Sequence, residues 1–182
     1  MTMSNKPTID QSPRLSATVV LHHSPLEQLR ALIMSLDKAA RLLEAQLPLY
    51  LVDQSQSAGY TEAVQALVRE APSDSLLQLH YMARGSNNGY GAGHNAVLDS
   101  VLGDYHLILN PDVELPEHAL VQVTDNLRDH PEVAIMAPRA ANEMGDEEHL
   151  AKRYPSVLVL LLRALGFAQL KRYFPGGWRC TS

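Results

Sequence analysis

Five short apolar runs recur along this chain, separated by stretches of helical periodicity, and that alternation limits the fold more than any other feature. The runs are Ala17–Leu21 (ATVVL), Leu49–Val52 (LYLV), Leu76–Met82 (LLQLHYM), Tyr105–Leu109 (YHLIL) and Val133–Met136 (VAIM). Each is too short for a stable helix, and several are rich in β-branched residues, so each reads as a buried strand. Between the first two, Leu26, Leu29, Ile33, Leu36, Ala40, Leu43 and Leu47 mark one helical face, which Pro48 closes. Ser24, Pro25 and Glu27 supply an N-cap, a first-turn proline and a capping box for that helix. Further helices are expected over Thr61–Arg69, over Gly93–Leu102 with Val97, Leu98, Val101 and Leu102 inward, and after Leu115-Pro116-Glu117 with Leu120, Val123 and Leu127 on one face. Strands alternating with helices predict an α/β fold, a mostly parallel sheet with helices on both faces.

The 182 residues suit one principal domain and can bury a real core. A formal net charge of -5 argues against a nucleic-acid partner, which calls for a basic patch. The single cysteine, Cys180, leaves no internal disulfide framework and fits a reducing cytosol. Residues 1–15 are polar and lack the apolar centre of a signal peptide, so a loose tail is expected there. No run reaches the length of a membrane span. The predicted organisation is the tail (1–15), a principal domain (16–140), and an acidic loop, an apolar helix and an aperiodic end (141–182).

Chemistry concentrates between Gly85 and Glu114, GSNNGYGAGHNAVLDSVLGDYHLILNPDVE. Gly89, Gly91 and Gly93 let the backbone bend sharply and approach a ligand. A glycine loop leading into a helix can hold an anion. The fourth strand then runs into Asn110-Pro111-Asp112, at the strand ends where open α/β sheets bind ligands. These features suggest a site for a phosphorylated molecule with a metal ion beside it. Taken singly, each has a plainer explanation. The glycines could be a tight connection, Asp112 a turn residue after Pro111, and Asp53 the cap of the turn after the second strand. His22 and His23 are poor joint metal ligands, because adjacent strand residues point to opposite faces. His94 reads as a helix-start residue and not a base.

In order along the chain, VVLHHSPLEQLRALIMSL, LVDQS, NNGYGAGHNAVL, LILNPDVEL, VAIMAPRA and KRYPSVLVLLLRALG resemble family-2 glycosyltransferases of the A-type fold, the nucleotide-diphospho-sugar transferase fold. Within that family the chain is most similar to rhamnosyltransferase-like members. The resemblance implies transfer of a sugar, with inversion, from a nucleoside-diphosphate donor to an acceptor hydroxyl. It implies dTDP-rhamnose as donor, a surface polysaccharide or lipid-linked glycan as acceptor, and a cytoplasmic place, with the inner face of the cell membrane as an alternative. By position, Asp53 would meet the nucleoside base or ribose, with His22 beside it. Asn87, Asn88, Gly89, Gly91 and Gly93 would line the nucleotide and diphosphate, Asn95 would help hold that loop, and Asn110 would contact the donor. Asp112 would ligate Mg2+ or Mn2+ where the family carries its DxD motif; Asn110 replaces the first acid. A hard cation on oxygen ligands offsets the charge gained by the departing diphosphate.

Members of the family continue into an acceptor half that supplies the catalytic base, so the resemblance further implies a donor-binding half without its base, and no residue here is assigned as that base. The alternative is a non-catalytic module that binds a nucleotide sugar or a partner chain. A dinucleotide-binding domain fits poorly, because the first strand leads to HHSPLE and not to a glycine fingerprint. The apolar helix near 156–170 is expected to pack on an acceptor half, and peripheral membrane contact is its second reading.

Overall fold

The computed structural model describes residues 13–137 except 102, together with the backbone of 140–141 and 147–148. The expectations for the N-terminal tail, for Leu102, and for the acidic and apolar stretches over 142–146 and 149–182 lie outside the described residues. The chain divides into two compact units, Met1–Ala134 and Ile135–Ser182. In the second, β5 (Ala140–Ala141) pairs antiparallel with β6 (Glu147–Glu148), where a loop was expected.

The first unit carries the alternation that the sequence predicts. β1 (Leu15–Leu21), α1 (Leu26–Leu43), β2 (Leu47–Asp53), α2 (Ala58–Arg69), β3 (Leu77–Ala83), α3 (Tyr90–Asn95), a short 3-10 turn (Leu98–Ser100), β4 (Tyr105–Leu109) and α4 (Ala119–Asp129) follow in order. The four strands form one parallel sheet in the order β3-β2-β1-β4.

β1 is buried along its whole length, as a central parallel strand must be. Its residues divide by parity. Leu15, Ala17, Val19 and Leu21 enter the main core with Leu29, Leu32 and Leu36 of α1, Val64 and Leu67 of α2 and Leu120 of α4. On the other face Val20 packs with Val52 and Val97. Ser16 and Thr18 share that second face, and their hydroxyls hold the two ring nitrogens of His106 on β4, at 2.8 Å (Nδ1) and 2.9 Å (Nε2). Helices therefore cover both faces, unequally: three on one, α3 and its turn on the other.

Several local expectations are corrected. The capping box does not form, because α1 begins at Leu26 with Pro25 as N-cap and no side-chain cap, which leaves Ser24 one residue too early. α1 ends at Leu43 through Glu44 in the left-handed region, φ 55, whose N–H reaches back to the last turn. Pro48 does not close the helix; it lies within β2. It is tolerated there because the β1 ladder begins only at Leu49, so no bond to β1 is lost. α2 starts earlier than expected, at Ala58, where the Ser57 hydroxyl accepts from the Tyr60 N–H at 3.4 Å. Val133–Met136 forms no strand among the described residues. Pro131 and Pro138 bracket this run, neither with an N–H to give a ladder, and Ile135 is 88% exposed.

The packing makes a direct comparison on α1. Leu32 is fully buried, whereas Met34 is 63% exposed. Leu32→Ala should cost about 2–5 kcal/mol in urea unfolding. Met34→Ala should stay within about 0.5 kcal/mol. Equal effects would place α1 on the sheet by a different face.

Candidate functional site

The chain runs β1, β2, β3 toward one edge of the sheet and then returns past β1 to lay down β4 on its other side. The order reverses between β1 and β4, and ligands of open α/β sheets bind at such a point, beyond the carboxyl ends of the strands. Here the ladders end unevenly. β1 pairs with β2 as far as Leu21↔Asp53, but with β4 only as far as Val19↔Leu109. The last two residues of β1 therefore stand past the end of β4, and a notch opens where Asn110 leaves the sheet.

The returning segment forms the roof of this notch. The Asn87 side-chain oxygen accepts from the Gly89 N–H at 3.0 Å, which sets the bend before α3. Gly89 has φ 88, a conformation costly for any residue with a side chain. α3 then spans Tyr90–Asn95, not the expected Gly93–Leu102, and turns 3-10 after Val97. Gly93 lies inside the helix and is buried against β1. A Cβ there would stand 2.5 Å from a Val20 methyl and 2.7 Å from Gln54 Nε2. Gly91 has open space around it. Asn88, just before the bend, and Asn95, the last residue of α3, are both exposed, and no side-chain hydrogen bond ties Asn95 to the loop among the described residues.

Gln54, which the sequence reading passed over, is a hub. It is buried, its Nε2 donates to the Gly89 carbonyl at 3.3 Å, and its own carbonyl lies 3.3 Å from His22 Nδ1. His22 is exposed at the mouth. Because β1 ends at Leu21 and His23 takes φ 58, the two histidines are not opposed across a strand; their rings meet edge to face at 5.0 Å. Among the described residues no three His, Cys, Asp or Glu side chains gather to hold a metal by themselves.

The two acids singled out by the sequence occupy opposite environments. Asp53 is buried and occupied. Its Oδ1 accepts from the Ser55 N–H at 2.8 Å, and its Oδ2 accepts from the Thr61 and Tyr81 hydroxyls at 2.9 and 2.7 Å. Burial alone would raise this carboxyl, but donation from Tyr81, Ser55 and Thr61 outweighs it and holds it below the usual range. Tyr81 is pushed the other way, to about 12, by burial and the adjacent carboxylate. Asp112 is exposed in the turn after β4, and no hydrogen bond or ion pair engages it among the described residues. Asn110 begins that turn, and its Oδ1 accepts from the Tyr90 hydroxyl at 2.9 Å.

Under the roof, His94 is 5% exposed, and neither ring nitrogen has a hydrogen-bond partner. It is more deeply placed than a helix-start residue need be, and the Tyr90 ring packs against it at 4.4 Å. Burial, then the neighbouring His106, depress its pKa; burial alone depresses that of His106. Both rings are therefore neutral near pH 7.

Residues 30–181 match the family described as glycosyl transferase family 2. Solved structures of similar fold include residues 1–349 of S. aureus TarS, with TM-score 0.51 and 20% identity over 65% of this chain and 33% of that one. They also include a mannosyltransferase from Pyrobaculum calidifontis in complex with GDP-Man and Mn2+, with TM-score 0.50 and 20% identity over 66% of this chain and 34% of that one. The chain thus spans about a third of the length of either structure. No curated protein matches its sequence. The parallel sheet, its two covered faces and these neighbours agree with the expected A-type fold.

Two predictions follow from the roof. Gly93→Ala should displace α3 or destabilise the protein by roughly 1–3 kcal/mol, while Gly91→Ala should be neutral or slightly stabilising; thermal unfolding of the pair decides this. The second concerns acid. His94 and His106 have folded pKa values below the ordinary 6.5, so the unfolded chain binds protons first. Stability should be full above that value and fall as the pH drops through it toward 5. The Asp53 carboxyl, already below 3.8, contributes no loss until far more acidic pH. His94→Leu should leave the urea midpoint at pH 7.5 nearly unchanged and make its decline between pH 7.5 and 5 shallower.

Proposed function

The chain belongs to glycosyl transferase family 2, and we propose that the notch between β1 and β4 binds a nucleoside-diphosphate sugar for inverting transfer to an acceptor hydroxyl. The observation that carries this reading is Asp112: an exposed, unengaged carboxylate just past the strand at which the sheet order reverses. Buried acids at strand ends are common and are satisfied internally, as Asp53 is. An acid left free at that one point, facing a glycine-built roof, is suited to charge brought by a ligand.

The donor set fits a hard divalent cation. Mg2+ is commonly held by one or two carboxylates together with substrate phosphates and water. Asp112 supplies the carboxylate, so in this reading the protein completes the site only with donor present. Mg2+ or Mn2+ bound there would offset the charge on the departing diphosphate. The similar mannosyltransferase, seen with GDP-Man and Mn2+, supports a divalent ion and a nucleotide sugar in this role.

The chain's own residues do the rest. Asn87 and Gln54 hold the Gly89 bend, so Asn88, Gly91 and Asn95 are presented at the rim of the diphosphate site. Gly93 brings α3 close enough to β1 to shield the donor's underside. Asp53 has three of roughly four acceptor sites taken. Its part is to fix the β2–α2 turn, beside which the exposed His22 meets the nucleoside. The Asn-Pro-Asp sequence in place of two acids supports a rhamnosyltransferase-like preference. We therefore assign dTDP-rhamnose as donor and a surface polysaccharide or lipid-linked glycan as acceptor. Such an acceptor gives a reason for work at the inner face of the membrane; no helix among the described residues is long and apolar enough to cross it.

Titration calorimetry with dTDP-rhamnose, UDP-glucose and GDP-mannose, each with Mn2+ and with EDTA, tests the reading. Tightest binding of dTDP-rhamnose with Mn2+ is expected. Asp112→Ala should weaken the Mn2+-assisted affinity at least about tenfold, the effect of one lost charged ligand. Its thermal midpoint should stay unchanged, because the side chain is exposed. Unaltered affinity in a folded variant would refute the assignment.

A further inference from the structure

The place of Asn110 has a second contributor that neither the family resemblance nor the composition of the loop brings forward. Tyr90 is the first residue of α3, directly after the bend at Gly89. Its ring is seated edge-on against His94, which is buried and anchors it. From that seat its hydroxyl crosses the notch and donates to Asn110 Oδ1 at 2.9 Å. Asn110 is otherwise exposed, and no hydrogen bond engages its amide nitrogen among the described residues.

Resting on the donor reading above, we propose that Tyr90 is a positioning residue: by occupying Asn110 Oδ1 it turns the Nδ2 amino group outward, so that Asn110 donates a hydrogen bond to the diphosphate instead of ligating the metal ion. A carboxamide has one acceptor oxygen and one donor nitrogen, and fixing either end fixes the other. With one of its two lone pairs taken by the phenolic O–H, Oδ1 competes poorly with the free carboxylate of Asp112 for the cation, whereas the N–H2 cannot ligate a cation and suits a phosphate oxygen. An aspartate at the same place would behave differently. One carboxylate oxygen would take the Tyr90 hydroxyl and the other would remain for the cation. The exchange of acid for amide thus changes the work of this position from metal ligand to phosphate donor, and leaves Asp112 as the cation's protein ligand.

The direction of the bond is consistent with the surroundings. A tyrosine hydroxyl is protonated at neutral pH and so can donate, and a carboxamide oxygen can only accept. His94 behind the ring is neutral and adds no charge to the arrangement. The contact also joins the roof of the notch to the end of β4, so the orientation of Asn110 is set before any ligand arrives.

The test is calorimetric binding of dTDP, UDP and GDP to wild type, Tyr90→Phe, Asn110→Ala, the double variant and Asn110→Asp, each with EDTA and with Mn2+; circular dichroism checks folding. With EDTA, Tyr90→Phe should weaken the best-bound nucleotide about five- to tenfold, Asn110→Ala by a similar factor, and the double variant by no more than either alone. Asn110→Asp should bind worse than wild type in EDTA and recover in Mn2+, with a steeper metal dependence than wild type. Wild-type affinity in folded Tyr90→Phe would overturn the proposal while leaving the donor reading intact. So would losses that multiply in the double variant, or a Tyr90→Phe loss seen only with Mn2+. If Tyr90→Phe fails to fold, Asn110→Asp decides: no loss in EDTA would overturn the proposal. Failure of wild type to bind all three nucleotides under both conditions would overturn the donor reading together with this one.

Discussion

The close approach of Gly93 to β1 is the contact on which the site depends. With no Cβ at this position, α3 lies directly on Val20 and Gln54. Were the helix held a side chain's width further off, Val97 would leave its small cluster with Val20 and Val52, and the second face of the sheet would lose its cover. The Gly89 bend would also move away from Gln54, which holds it by a single hydrogen bond. Tyr90 and the rim residues ride on that bend. Packing on one face of β1 thus sets the geometry beyond its carboxyl end, although no residue in the packing contact need touch a ligand.

Much of the fold was readable because the central strands β1 and β2 are buried along most of their length. ATVVL and LYLV are apolar or β-branched without interruption, YHLIL departs from this only at His106, and a run of this kind has few alternatives once its length is short. The face of α1 was readable for a related reason: apolar residues at helical spacing pick out the buried Leu29, Leu36 and Ala40, although Leu32, also buried, was not among them. Boundaries were harder where a tertiary contact overrides local preference. Glycine disfavours helix, so the glycine run reads as loop, yet α3 includes both Gly91 and Gly93, and at Gly93 the approach to β1 requires a residue without a side chain. Val133–Met136 has a strand's composition, but composition cannot supply a neighbouring ladder.

The site divides along the same line. Asp53 and Asp112 were both visible as acids at strand ends, and nothing in their local sequence distinguishes a carboxylate with three donors from a free one. The distinction comes from Thr61 and Tyr81, which stand 8 and 28 residues from Asp53 and meet it only in the fold. Gln54 and Tyr90 were passed over for the same reason, since their partners are Gly89 and Asn110. Tyr90 did leave a trace. A large aromatic residue between two glycines has little reason to be in a loop whose purpose is close approach, unless its ring has a seat and its hydroxyl has a target.

The β1–β4 register gives the notch its shape, and the means of holding that register is polar. β4 is the edge strand of the described sheet, and Ile108 on it is 61% exposed, so apolar burial restrains it weakly. His106 compensates. Its two ring nitrogens are held by hydroxyls on alternate residues of β1, and a slip by one residue would turn His106 to the other face and break both bonds. Arg14 and Asp104 make a second, exposed attachment at the strand's start: the Arg14 backbone N–H donates to Asp104 Oδ2 at 2.9 Å, and its guanidinium to Oδ1 at 3.2 Å. With the register fixed from the start of the pairing in this way, Leu109 can be the last paired residue. Asn110 and Asp112 then fall beyond the ladder, where their side chains are free to serve chemistry instead of the sheet.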